Sequence, residues 1–155
     1  MNDKLNVLIM IAKVFNEHKI HWNVGASCML YLRGYVDHFH DIDLMISLDD
    51  VEKVKEILKA YPCIERPRNE QYRTRVFLEY TIDGIDLDIM AGFSIMSEQN
   101  EYYFPLTKDE PTDEMTLDDT PIFLAKVETW YRYYSLMKRE DKIRIIEQHH
   151  QKKKE

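Results

Sequence analysis

At 155 residues the chain is long enough for one domain with a full hydrophobic core and too short for two independent ones. Hydrophobic residues at 45% and charged residues at 32% exclude an intrinsically disordered chain, and the net charge of −7 disfavours long nucleic acid as a partner. Cys28 and Cys63 have no spacing that reads as zinc and are expected to be buried, reduced thiols; no apolar run is long enough for a membrane span and no leader pattern opens the chain, so a cytoplasmic protein is expected.

Leu5, Leu8, Ile9, Ala12 and Phe15 recur at helical spacing and predict an amphipathic helix over 4–18. A short strand over 20–24 then runs into Gly25-Ala26-Ser27, and 28–32 reads as helix with Gly34 as its stop. Residues 41–48 form the clearest strand: Ile42, Leu44, Ile46 and Leu48 share one face, and Met45 accompanies Asp41 and Asp43 on the other. Asp49 or Asp50 is the expected cap of a helix bearing Val51, Val54, Ile57, Leu58 and Tyr61, which Pro62 ends. Residues 72–82 alternate as a long strand, Asp83-Gly84 signals a tight turn, and 85–90 returns as the hairpin partner.

Residues 101–106 are expected as a further strand and 108–119 as an acidic loop, a candidate lid. Thr120-Pro121 is expected to open a helix through Ile122, Leu124, Ala125, Val127, Trp130, Tyr131, Tyr134 and Met137, well buried because it is apolar nearly all round. A last helix covers 139–149, and the polar tail 149–155 with Lys152, Lys153 and Lys154 reads as a frayed, solubilising end. The order implies an α/β (α+β) single domain: a mixed β-sheet flanked by helices, with its core at about 20–106 and helices at about 120–149.

The chemistry lies in two acidic pairs, Asp41-Ile42-Asp43 and Asp86-Leu87-Asp88. On a strand, carboxylates at i and i+2 point to one face, where their repulsion demands an offsetting cation or open water. Two such strands side by side would make a socket for Mg²⁺, a hard ion that takes carboxylate oxygens and substrate phosphates. A charged edge strand explains Asp41 and Asp43 less well, because their neighbours are apolar.

Val24-Gly25-Ala26-Ser27, followed by His40-Asp41-Ile42-Asp43-Leu44 and Ile85-Asp86-Leu87-Asp88-Ile89, resembles the signature of the polymerase-β-like nucleotidyltransferase superfamily. Within it the chain looks most like the small antibiotic-modifying enzymes of lincosamide and aminoglycoside type, and the likeness covers residues 20–90 well. Gly25-Ala26-Ser27 stands where the family often has Gly-Gly or Gly-Ser, so the loop register departs by one place.

The resemblance implies the nucleotidyltransferase fold and transfer of a nucleoside monophosphate from a nucleoside triphosphate, ATP first, to a hydroxyl of a small acceptor, with release of pyrophosphate. It implies Asp41, Asp43 and Asp88 as catalytic carboxylates, with Asp41, Asp43, Asp86 and Asp88 as ligands of Mg²⁺ or Mn²⁺. Asp86 and Asp88 share a face and remain alternatives for the third carboxylate; the string Gly84-x-x-Leu87-Asp88-Ile89 favours Asp88. Gly25, Ala26 and Ser27 would cradle the phosphates, helped by Arg33, Arg73, Arg75 or Lys126.

His38 and His40 read as solvated loop residues before they read as substrate ligands, and Trp130 and Tyr134 as helix packing before base stacking. The aromatic C-terminal helix serves a homodimer as readily as a core. Competing functions are a toxin-type relative acting on tRNA or protein, and a non-catalytic nucleotide-binding or antitoxin-like module. Acceptor and base preference lie outside what such motifs specify.

Overall fold

The strand signals resolve, in a computed structural model that describes residues 2–154, into a seven-stranded mixed sheet and a separate two-stranded hairpin. Among the described residues there are five α-helices, and none is long and apolar enough to cross a membrane. In chain order the elements are α1 (Asn2–Glu17), β1 (Trp22–Gly25), α2 (Ala26–Leu32), β2 (Ile42–Ile46), α3 (Val51–Ile57), β3 (Cys63–Arg66), β4 (Val76–Ile82) and β5 (Ile85–Ala91). Then follow β6 (Phe93–Ser97), β7 (Asn100–Phe104), β8 (Thr112–Leu117), β9 (Thr120–Ala125), α4 (Val127–Leu136) and α5 (Glu140–Lys154).

The large sheet runs β3-β4-β5-β2-β1-β9-β8. Its centre is the parallel pair β2 and β5, with β1 antiparallel to β2 and β4 antiparallel to β5. Ile42, Leu44 and Ile46 of β2 and Leu87 and Ile89 of β5 are buried, as period-2 alternation requires of a sheet face packed on helices. Of the predicted stripe of α1, Leu8, Ala12 and Phe15 are fully buried, joined by Ile11, while Leu5 and Ile9 are partly buried. Gly34 stops α2 at a φ of +81°, and Asp83 and Gly84, at +52° and +77°, make the two-residue hairpin turn between β4 and β5.

The structure corrects several expectations. Thr120–Ala125 is a strand, not the start of a helix, and it pairs with Thr112–Leu117 out of the segment expected to be an acidic loop. The turn between them is Asp118-Asp119, both at positive φ (48° and 58°); without Gly or Asn it carries no hairpin signature, although its backbone is the one that favours them. The helix begins at Val127, with Lys126 at its N-cap. The strand expected over 72–82 begins only at Val76, and Leu48 lies beyond β2 in a 3₁₀ turn, 40% exposed.

Neither aspartate caps α3 through its side chain; Ser47 caps the preceding turn, and Asp50 instead accepts the backbone N–H of His21. Cys28 is buried as expected, but Cys63 is exposed, because β3 is an edge strand with all four residues facing solvent. The last helix continues to Lys154 instead of fraying at 149; the side chains of Lys152, Lys153 and Lys154 lie outside the described residues.

Candidate active site

Gly25, Asp43, Asp88 and Glu79 form one cross-strand row. Gly25 is the register partner of Asp43, Asp43 of Asp88, and Asp88 of Glu79. Register partners project to the same face, so the three carboxylates stand side by side across β2, β5 and β4. Asp86, two residues earlier on β5, and Asp41, immediately before β2, continue the acidic surface beside them. Asp41, Glu79, Asp86 and Asp88 line a cleft of about 290 Å³ that reaches Cys63 and Ile64 on the edge strand.

Such crowding shows in the proton affinities. Burial, then repulsion from Asp88 and Asp41, pushes the Asp43 carboxyl well above its ordinary range. Asp88 is pushed up to about 6 by burial, followed by the charges of Asp41, Glu79 and Asp86. Two cations counter the row from opposite ends: Lys142 acts on Asp43, and Arg66 on Asp88. Arg66 grips Glu79 with two hydrogen bonds, Nε to Oε1 at 2.7 Å and Nη2 to Oε2 at 3.0 Å.

At the Gly25 end the chain turns from β1 directly into α2. Ala26 takes φ +53°, a left-handed conformation that an L side chain adopts only under strain. A Cβ on Gly25 would fall 2.4 Å from Trp130 Nε1, so α4 lies on the carboxylate face of the sheet and the indole covers the glycine. Trp130 Nε1 is buried without a hydrogen-bond partner. Lys142 Nζ donates to Ser27 Oγ at 2.8 Å, and burial, then the charge of Asp43, pushes the nearby Tyr134 hydroxyl up.

The donor set suits a hard divalent cation: all of it is carboxylate oxygen, crowded so that each charge raises its neighbours and a cation would relieve the repulsion. Among the described residues no group of three or more His, Cys, Asp or Glu side chains is gathered to hold an ion as it stands. The fit is one of donor chemistry and strand register, not of a preformed cage.

The structure thus brings together Gly25, Ala26, Ser27, Asp41, Asp43, Asp86 and Asp88. It does not bring the four predicted basic residues there. Arg33 and Lys126 both bind Asp113, at 2.9 and 2.6 Å. Asp113 pairs with Leu124, and Leu124 with Val24, so this carboxylate projects to the face opposite Asp43. Arg73 and Arg75 precede β4 instead of lying on it, and both turn to Glu101, at 3.5 and 2.6 Å.

Sequence reasoning missed Glu79, Arg66 and Lys142. Glu79 was within reach of it: the Asp83-Gly84 turn pairs Ile82 with Ile85, and counting back places Glu79 opposite Asp88. Lys142 lies 115 residues from Ser27 and carries no local signal.

No family profile and no protein of curated function matches the sequence. Solved structures share the fold. A protein of Thermotoga maritima, provisionally assigned as a nucleotidyltransferase, superposes with a TM-score of 0.75 at 21% identity, over 97% of this chain and 94% of that one. The lincosamide antibiotic adenylyltransferase LnuA, with lincomycin bound, superposes at 0.54 and 15% identity over 79% of this chain and 80% of its own. ANT(2″)-Ia in complex with adenylyl-2″-tobramycin gives 0.54 at 13% identity over 91% and 84%. The chain has the nucleotidyltransferase fold.

Proposed function

We propose that the chain is a nucleotidyltransferase that moves a nucleoside monophosphate, AMP from ATP first, onto a hydroxyl of a small molecule. The observation that carries this reading is the register of Gly25, Asp43 and Asp88 on one sheet face, which sets the strand-to-helix turn beside converging carboxylates. Sharing a fold with adenylyltransferases of lincosamide and aminoglycoside antibiotics makes such hydroxylated amines the first acceptors to try.

Asp41, Asp43 and Asp88 would hold a divalent cation, Mg²⁺ first, with Asp86 at the rim. When bound, such an ion supplies charge neutralisation for the triphosphate and the attacking oxygen. The turn at Gly25-Ala26-Ser27 offers backbone N–H groups and the Ser27 hydroxyl to phosphate oxygens. Asp88, between the Asp43 carboxylate and Glu79 in the row, would accept the proton of the acceptor hydroxyl. The acceptor oxygen bonds to the α-phosphorus, the bond from that phosphorus to the bridging oxygen breaks, and pyrophosphate leaves with the electron pair. Glu79 and Arg66, beyond Asp88, face the side from which the acceptor would enter.

The test is incubation with α-labelled ATP, Mg²⁺ and pooled hydroxylated acceptors that include a lincosamide and an aminoglycoside, with pyrophosphate release as the readout. Label transfer that disappears in Asp43→Ala supports the assignment. Failure of every nucleotide to bind in the presence of Mg²⁺ removes it.

A further inference from the structure

The phosphates of a nucleotide need a cation, and the structure occupies the obvious ones elsewhere. Arg33 and Lys126 neutralise Asp113, while Arg73 and Arg75 neutralise Glu101. Lys142 is different. It is half-buried, its ammonium donates to the Ser27 hydroxyl at 2.8 Å, and among the described residues no carboxylate stands within ion-pair distance of it. An ammonium has three donors; one goes to a neutral hydroxyl, and Asp43, the row carboxylate it offsets, acts on it from beyond ion-pair distance.

Its neighbourhood repeats the pattern. Trp130 Nε1, on the face of Gly25, is a buried donor without an acceptor. The turn is therefore surrounded by hydrogen-bond donors, and the acceptors next to it are the crowded carboxylates of the row. That imbalance is what an incoming anion with several oxygens would settle.

We infer that Lys142, delivered by α5 to the Gly25-Ala26-Ser27 turn, binds the phosphates that depart as pyrophosphate, so that the C-terminal helix completes the nucleotide site. The inference rests on the nucleotidyl-transfer reading and adds a direction to it. In an in-line displacement the nucleophile and leaving group occupy opposite sides of the phosphorus. Lys142 and Ser27 mark one end of the row Gly25–Asp43–Asp88–Glu79, and Arg66 on Glu79 marks the other. The leaving group belongs to the Lys142 end and the acceptor to the Arg66 end.

The experiment is calorimetric titration of the full chain with inorganic pyrophosphate in Mg²⁺, comparing the parent with Lys142→Met, Lys142→Arg and Asp43→Ala, each checked for an unchanged thermal transition. Loss of a charge-assisted contact is expected to weaken pyrophosphate binding about 10- to 100-fold in Lys142→Met, with most of it restored in Lys142→Arg. Binding of Mg²⁺ alone should hold or tighten in Lys142→Met, because a positive charge near Asp43 has been removed. Should turnover be measurable, KM for ATP should rise more than kcat falls. Lys142→Met binding pyrophosphate like the parent, while Asp43→Ala does not, overturns the role of Lys142 and leaves nucleotidyl transfer standing. A parent that binds neither pyrophosphate nor ATP overturns both.

Discussion

Asp43 on β2 and Asp88 on β5 are register partners on adjacent parallel strands, and the charge of Asp88 adds to burial in pushing the Asp43 carboxyl up. Two acids held so closely destabilise the metal-free fold, so removing one charge is expected to raise stability while abolishing function. Asp88→Asn should gain roughly 1–2 kcal/mol at pH 8 in chelator, after discounting for the solvent that reaches this half-buried group. That corresponds to about 2–4 °C in Tm per kcal/mol for a chain of this size. Nucleotidyl transfer should fall at least about 100-fold. A variant that loses stability along with activity would show the pair to be structural.

The same pair sets a pH dependence. Burial and like charges raise Asp88 to about 6 and Asp43 above its usual range, so the folded state binds these protons more tightly than the unfolded chain. The contribution of Asp88 is fully present below its unfolded value near 3.8 and is lost as pH rises through about 6. In chelator, Tm should therefore decline between pH 5 and pH 8. Mg²⁺ should flatten that decline, stabilising more at pH 8 than at pH 5, and Asp88→Asn should reduce the slope without metal. Below pH 5 the trend should reverse. Asp113 and Glu79, whose pKa values are lowered by Lys126 and Arg66 respectively, lose their stabilising partners' benefit as they protonate.

Gly25 has no room for a side chain. Gly25→Ala drives a methyl into the Trp130 indole and is expected to destabilise by about 1–3 kcal/mol, as overpacking does. Replacing the indole in the same chain (Gly25→Ala with Trp130→Leu) should recover part of the loss, and a thermal double-mutant cycle measures that coupling. Additive losses would place the two residues out of contact.

Ala26 bears backbone strain that Ala12 does not. At φ +53° the Ala26→Gly change should be neutral to about 1 kcal/mol stabilising, since relief of the left-handed conformation offsets the extra freedom of the unfolded chain. Ala12→Gly, in the buried middle of α1, should cost about 1 kcal/mol or more. Chemical denaturation of the two variants separates the cases.

Asp113 anchors Arg33 and Lys126 on the far face of the sheet. Asp113→Asn is expected to lower stability by about 1 kcal/mol while leaving KM for ATP within about two-fold of the parent. A large rise in KM would return the two basic residues to the nucleotide site.

Local patterns made much of this molecule readable. The stripe of α1, the Asp83-Gly84 hairpin and the acid pairs on β2 and β5 all follow from side-chain period and turn chemistry, which act over a few residues. The hairpin of β8 and β9 escaped because Asp118 and Asp119 adopt positive φ without the residues that advertise it. Ile122 and Trp130 looked like one helical stripe, though a strand end and an N-cap lie between them.

The residue types, the alternation that points both acid pairs to one face, and the glycine before α2 were determined by the sequence alone, because each depends on the chain's own geometry. Only the folded chain decided that Asp43 stands opposite Asp88, that Asp113 and Glu101 claim four of the basic residues, and that Lys142 reaches Ser27. Those are meetings between segments far apart in the chain. They are settled by which surfaces pack together and which charges can be desolvated in company, and no local periodicity encodes that choice.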